Sequence, residues 1–324
     1  MSDLPLTIEE LRHRQPDPPS GDVPEELREL AQDDPAPTKE FRFVERLTDE
    51  ERAADYGTPA ELDGYRPPWQ EASFVPRRAP APRPSTIRHH GQELKPLVIW
   101  PGDDRAIYND RSYPWGCICK VTTAAGAKGS GALIGPRHVL TASHCVDWNT
   151  TAAERIDVHL TGTVAAATAF DTVAYAFTHI TGPDVGVTEL DEDYAVLVLD
   201  QRLGDRFGWL GTKTYDSSWD GDNVWATMGY PGDIAGGVQP TFQRGKNLDE
   251  DEWDLGSGRA MTTSADAMPG QSGSPIFGTW ADNIAYAVAV ISAVGEIWFS
   301  GVENWCSGGS DLGRTVKQAR DENP

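Results

Sequence analysis

From Leu97 onward the chain breaks into short apolar runs bounded by glycine, proline or small polar residues, and this texture constrains the fold most. Runs that read as strands occur at 113–121, 130–134, 139–142, 156–160, 172–177, 194–199, 224–228, 276–277, 285–292 and 297–299. No helical pattern of about twelve residues separates them, so barrels or sandwiches are expected rather than an α/β sheet. The only good helix candidate here is 311–321, and no repeat of fixed period is visible. The 32 glycines, 24 prolines and 11 tryptophans suit a fold of many turns and short strands. A chain of 324 residues holds two units of ~100–150 residues plus an extension.

Residues 1–95 differ in composition and form that extension; residues 96–324 form the folded domain. The extension is rich in Pro, Glu, Asp and Arg, with short acidic helices expected at 23–31 and 48–54 and a semi-rigid proline linker at 77–84. It reads as a disordered tail, a pro-segment covering a cleft, or a docking arm. A net charge of −22 argues against a basic nucleic-acid surface. No 18-residue apolar run predicts a membrane span, and residues 1–10 lack the basic start and apolar core of a secretory signal. Four cysteines, if paired, point instead to an extracellular or periplasmic setting. Adjacent His89 and His90 lack further ligands at a metal-site spacing, so no metal or cofactor is expected.

Chemistry concentrates in Met268-Pro269-Gly270-Gln271-Ser272-Gly273-Ser274-Pro275. Such a glycine-rich turn can aim the Gly270 and Ser272 amides at one point beside the Ser272 hydroxyl, as a nucleophile generating an oxyanion requires. It lacks the glycine two residues after the serine that an α/β-hydrolase elbow needs. His144 ends the apolar run Val139-Leu140 at the entry to a turn, where a base is held rigidly; His138, His159 and His179 lack such flanks. Asp193 opens the apolar run 194–199, so its charge needs a partner, whereas Asp184, Asp191 and Glu192 lie in more polar loop. The chain order is His, Asp, Ser.

With these residues in place, GSGALIGPRHVLTASHCV (129–146), DYAVLVL (193–199), MGYPG (228–232) and MPGQSGSPIF (268–277) resemble the trypsin-like serine peptidases. The likeness is nearest to the bacterial branch of glutamyl endopeptidases and V8 protease. RAIYNDRSYPWGCI (105–118) resembles the start of the mature enzyme there. The resemblance covers roughly 98–316 and implies an all-β fold of two six-stranded antiparallel β-barrels about a cleft that binds an extended polypeptide, with a short C-terminal helix. It implies a triad of His144, Asp193 and Ser272, an oxyanion hole from the Gly270 and Ser272 amides, and peptide hydrolysis through an acyl-enzyme. The alternative is a catalytically silent binding module of the same fold.

Several positions depart from the family pattern. The digestive enzymes carry an aspartate immediately before the nucleophile, which pairs with the new N-terminus after cleavage; here Gln271 stands there. Glutamyl endopeptidases carry a histidine on the pocket strand and a threonine five residues before the nucleophile, aligned here with Ile291 and Ala267. Asp266 stands where trypsin holds its cation-binding aspartate. Asp266, Ala267, Ile291, Ser292 and Val294 are therefore the specificity-pocket candidates, and basic, small or apolar, and acidic preferences all stay open. The cysteine usually opposite Cys145 is replaced by Gly129; a hairpin centred on Ala124 sets Cys119 there, making Cys119–Cys145 the expected disulfide. Cys117 competes on the same strand face, and Cys306 is unassigned.

Overall fold

The computed structural model describes residues 4–14, 18–22, 24–25, 43–46, 61–76, 88–89, 92–93, 99–100, 102–108, 112–161, 164–182, 185–186, 188–250, 258–297 and 301–324. The expected helix at 48–54 and the linker at 77–84 lie outside these residues, as does the helix at 23–31 apart from residues 24–25. In chain order the strands are β1 (Phe43–Arg46), β2 (Arg88–His89), β3 (Gln92–Glu93), β4 (Ala106–Ile107), β5 (Ile118–Thr122), β6 (Lys128–Gly135), β7 (His138–Thr141), β8 (Arg155–Thr161), β9 (Val164–Ala176) and β10 (Ala195–Leu199). They continue with β11 (Gly211–Thr212), β12 (Trp225–Gly229), β13 (Thr241–Lys246), β14 (Leu248–Glu250), β15 (Gly258–Thr263), β16 (Pro275–Thr279), β17 (Ala285–Ile297) and β18 (Gly301–Gly309). The helices are α1 (Ile8–His13), α2 (Leu203–Phe207) and α3 (Ser310–Glu322).

The first half is a closed ring, β9-β10-β7-β6-β5-β8, sealed by β8 pairing back to β9. Closure rests on the length of β9: its first half pairs with β8 and its second half with β10. The run Ala195–Leu199 is buried throughout because β7 and β9 flank it inside the ring, which explains why it reads as continuously apolar. β1, from the N-terminal extension, lies parallel against the end of β9.

The second half is a curled nine-stranded sheet along β14-β15-β18-β17-β16-β12-β13-β4, with β11 paired to β17. Pairing alone leaves it a half-barrel rather than the expected closed ring. The edge strand β14 nevertheless follows β13, the strand next to the opposite edge, after Asn247 alone, whose N–H donates to Ser264 Oγ and whose Oδ1 accepts the Ser264 N–H. The aromatic content collects in its core, where Tyr215, Trp219, Trp225, Trp280 and Tyr286 meet ring to ring. A second aromatic group, Trp115 with Phe242 and Phe277, fills the seam between the halves. α3 leaves the second half and returns to the first, burying Leu312, Val316 and Ala319 in the first half's core.

Described parts of the extension lie against the halves. Thr7 caps α1 and Glu10 closes the capping box, so Leu11 is presented to a groove that includes Phe74, Trp115 and Phe277. The Leu6 N–H donates to Thr279 O, and isolated bridges join Leu62 to Thr212, Tyr65 to Trp209 and Ala72 to Tyr113. Among the described residues no helix is long and apolar enough to cross a membrane.

The expected Cys119–Cys145 disulfide is absent: all four cysteines are buried free thiols. The reason is register. β5 and β6 pair Val121 with Gly129 and Cys119 with Gly131, because the turn closes between Thr123 and Ala127 and centres one residue later than Ala124. Moving a hairpin's centre by one residue moves every cross-strand partner by two. Cys145 Sγ instead occupies the space over Gly129, 2.6 Å from where a Cβ would stand. The cysteines therefore carry no argument for an oxidising compartment.

Candidate active site

The Ser272 turn is built from glycine conformations. Gly270 has φ +101° and Gly273 φ +80°, both in the region that side chains rarely enter. A Cβ on Gly270 would stand 2.6 Å from Tyr230 O, and one on Gly273 2.3 Å from Ser130 O. Most amides of the turn are spent internally or on β17: Met268 N–H on Gln271 Oε1, Gln271 on Met268 O, Gly273 on Ile291 O, and Ser274 on Gln271 O. Among the described residues the N–H groups of Gly270 and Ser272 meet no protein acceptor, and both residues are partly exposed.

His144 and Asp193 meet because β7 and β10 are antiparallel neighbours. Ala195 lies opposite Thr141, so the chain entering β10 and the chain leaving β7 emerge at the same end. His144 sits on the one-turn 3-10 helix Ser143–Cys145, with a side chain 10% exposed, beside the fully buried Asp193. The carboxylate accepts three hydrogen bonds: His144 N–H on Oδ1 at 2.9 Å, His144 Nδ1 on Oδ2 at 2.7 Å, and Ser292 Oγ on Oδ2 at 2.5 Å. A buried charge needs this degree of satisfaction. Burial works against both charges, but the pair overrides it: Asp193 holds the His144 pKa above the usual imidazole value, and His144 with Ser292 holds Asp193 below the usual carboxylate value. His144 therefore loses its proton only above pH ~6.5.

Ser272 is held against the first half through its backbone. The Ser130 N–H, on β6 of the first half, donates to Ser272 O at 2.8 Å, and Cys145 Sγ lies 3.5 Å from the same oxygen. Ser130 Oγ donates to Gly270 O at 2.7 Å and accepts the Tyr230 N–H, while Thr141 Oγ1 fixes Ser130 O. Ser130 thus ties the Ser272 turn to β6, the neighbour of the strand that leads into His144. Sequence reading missed this role, and its signal was the serine inside GSGALI, flanked by glycines that admit close approach.

The remaining candidates scatter. Ser292 serves Asp193. Ala267 and Ile291 are fully buried in the core of the second half. Val294 lies on β17, with its side chain outside the described residues. Both oxygens of Asp266 are engaged by backbone amides, Trp100 N–H at 2.7 Å and Asp104 N–H at 3.3 Å. Of the rival residues, Glu192 bonds Thr178, His179 stacks on Trp148, and His138 is buried with Nε2 on Ala319 O. Asp184 and the His159 side chain lie outside the described residues. Among the described residues no group of three or more His, Cys, Asp or Glu side chains is gathered to hold a metal.

Comparison with known proteins agrees with this geometry. A family model described as a trypsin-like peptidase domain matches residues 129–281. A glutamyl endopeptidase of Bacillus licheniformis is 25% identical over 207 residues, covering 62% of this chain and 58% of that protein, so the chain spans less than two thirds of that relative. A solved structure of a Glu endopeptidase in complex with MPD is 20% identical, covers 68% of this chain and 98% of its own, and superposes with a TM-score of 0.54, which shows a shared fold.

Proposed function

We propose that this chain, a trypsin-fold protein of the V8-like branch, is a serine endopeptidase that cleaves extended polypeptides in the seam between its halves. The observation that carries the reading is the buried Asp193 carboxylate bonded to the His144 ring and backbone at once, with Ser272 tethered beside it through Ser130. In this reading Asp193 keeps the Nδ1 proton in place, so Nε2 is left to take the Ser272 proton as Oγ attacks the scissile carbonyl. The Gly270 and Ser272 amides receive the oxyanion, each donor contributing about 3–4 kcal/mol to lowering the barrier. The imidazolium then protonates the leaving amine, and water activated by the same histidine releases the acyl group.

The pocket candidates favour a small or apolar P1 side chain. The two positions that would hold polar recognition groups in a glutamyl endopeptidase are Ala267 and Ile291, both apolar and buried. Asp266, the acid among the pocket candidates, already accepts the amides of Trp100 and Asp104, which leaves less of its carboxylate for an arginine or lysine to bind. Cleavage of a randomised peptide library by wild-type protein and the Ser272→Ala variant tests both levels. Hydrolysis lost in the variant and concentrated after neutral residues is expected; hydrolysis retained in the variant refutes the mechanism, and a dominant Glu, Arg or Lys preference refutes the pocket assignment.

A further inference from the structure

With Gln271 before the nucleophile, the oxyanion turn has no carboxylate for a freed N-terminus to pair with, yet Gly270 holds φ +101°, one of several conformations open to glycine, so its surroundings must select it. The wall behind Gly270 is the segment 230–233. Tyr230 O stands 2.6 Å and Gly232 N 3.1 Å from the place a Gly270 Cβ would occupy. The Gly232 N–H donates to Pro269 O at 2.8 Å, and Tyr230 is tied through Ser130 Oγ to Gly270 O. The next residue, Asp233, is 2% exposed and is gripped by Arg105, also 2% exposed, in a two-pronged pair: Nη1 to Oδ1 at 3.0 Å and Nη2 to Oδ2 at 2.8 Å. Asp103 holds the rest of the guanidinium, taking Nε at 3.0 Å and Nη2 at 2.8 Å. The stretch carrying Arg105 is itself pinned upstream, by Asp266 on the Trp100 and Asp104 amides and by Lys246 on Asp104 at 2.9 Å.

A buried ion pair gains little stability over apolar packing of the same volume, while its fixed fork geometry imposes one orientation. We propose that Arg105 is a positioning residue for the oxyanion hole, setting the 230–233 wall through Asp233 and so aiming the Gly270 amide. The uncut chain then builds its own hole, with the work that a new N-terminus performs in the digestive enzymes done by an internal cation upstream of β5. This rests on the reading of Ser272 as nucleophile and adds its regulation: no proteolytic step is needed to order the turn.

The test uses the full chain with Asp233→Asn and Arg105→Lys, each verified as folded by circular dichroism and assayed well below its melting temperature. Kinetics are paired with binding of a peptide aldehyde, whose hemiacetal oxygen occupies the hole, and of the amine-side product peptide, which carries no group into it. We expect kcat to fall ~10–100-fold, a fraction of what outright loss of one donor does, with KM within about threefold. Aldehyde affinity should fall by the same factor as kcat while product-peptide affinity holds, with Arg105→Lys the milder variant because it keeps the charge and loses the fork. Lys317→Ala, which removes an ion pair to Asp321 on the surface of α3, should keep its kcat. Variants that retain kcat and aldehyde affinity, or that lose product and aldehyde binding together, overturn the proposal. A wild-type chain inactive both uncut and after limited proteolysis would refute the peptidase reading, whereas one active only after cleavage overturns the proposal, so the two failures are distinguishable.

Discussion

Replacing Asp193 by asparagine puts the proposed triad under its sharpest chemical test. All three partners of Asp193 donate in the wild type: the His144 N–H on Oδ1, and the His144 ring and the Ser292 hydroxyl on Oδ2. Asparagine offers one oxygen and one NH2. The backbone N–H of His144 cannot change its role, so the oxygen must stay at Oδ1 and the NH2 must take the Oδ2 position. There it faces two groups that can switch: Ser292 rotates its hydroxyl to accept, and His144 moves its proton to Nε2. Every hydrogen bond is then satisfied, so stability changes little, but Nε2 can no longer accept the Ser272 proton. A base locked in the wrong tautomer costs ~10⁴ in kcat, about 5 kcal/mol of barrier. The residual activity should also titrate differently. In the wild type the imidazole must lose its proton to act, and Asp193 holds its pKa above 6.5, so activity rises with pH only beyond that value. Without the carboxylate, burial is no longer countered by Asp193 and the acid limb moves to lower pH. The assay is kcat/KM across pH on a chromogenic peptide, with melting curves beside it. A variant within tenfold of wild type, or an acid limb that does not move down, would refute the tautomer argument.

Three further outcomes follow from local geometry. A cysteine at Gly129 would place its Cβ 3.1 Å from Cys145 Cβ, closer than the disulfide range of about 3.5–4.5 Å by a margin that a small backbone shift relieves. Gly129→Cys should therefore cross-link to Cys145 on air oxidation and add about 3 kcal/mol by closing the intervening loop; mass mapping that finds both thiols free counts against it. Gly270→Ala meets backbone at Tyr230 O, which no rotamer relieves, so kcat should drop ~10²-fold with a smaller change in KM, and an unaltered kcat would show the turn to be pliant. His138, buried on Ala319 O, has its pKa pushed down by burial to about 4. The unfolded chain takes up that proton first, so stability present above pH 6.5 is lost as pH falls toward 4, by about 3 kcal/mol; denaturant titrations of His138→Gln should lack that component, and an identical pH dependence in both proteins would contradict it.

Much of the site is legible in the sequence because chemistry and local structure coincide there. His144 and Asp193 each sit where an apolar run meets a turn, and two glycines bracket Ser272 because the turn admits nothing larger. The first barrel is legible for a similar reason: Ala195–Leu199 is apolar on both faces and must be covered on both. α1 was equally readable, since Thr7 and Glu10 carry the capping-box spacing, but the acidic, proline-rich surroundings masked it. Where the sequence reading went astray, the cause is cross-chain geometry. The Cys119–Cys145 pairing failed on a one-residue error in a hairpin centre. Ala267 and Ile291 were read as pocket candidates from their alignment with the family pattern; what the alignment did not show is that both side chains are fully buried in the core of the second half. Arg105 entered the sequence reading only as the first residue of the segment resembling the start of the mature enzyme; only the fold brings Asp103 and Asp233 around it.

The account turns on Ser272 being an activated nucleophile in the intact chain. Treating full-length protein with a fluorophosphonate and mapping the adduct by peptide mass spectrometry tests this directly. A single adduct on Ser272 is predicted, formed without prior cleavage of the chain, lost in Ser272→Ala and slowed in Asp193→Asn. A folded wild-type chain that takes up no probe, or takes it up at another serine, would contradict the account.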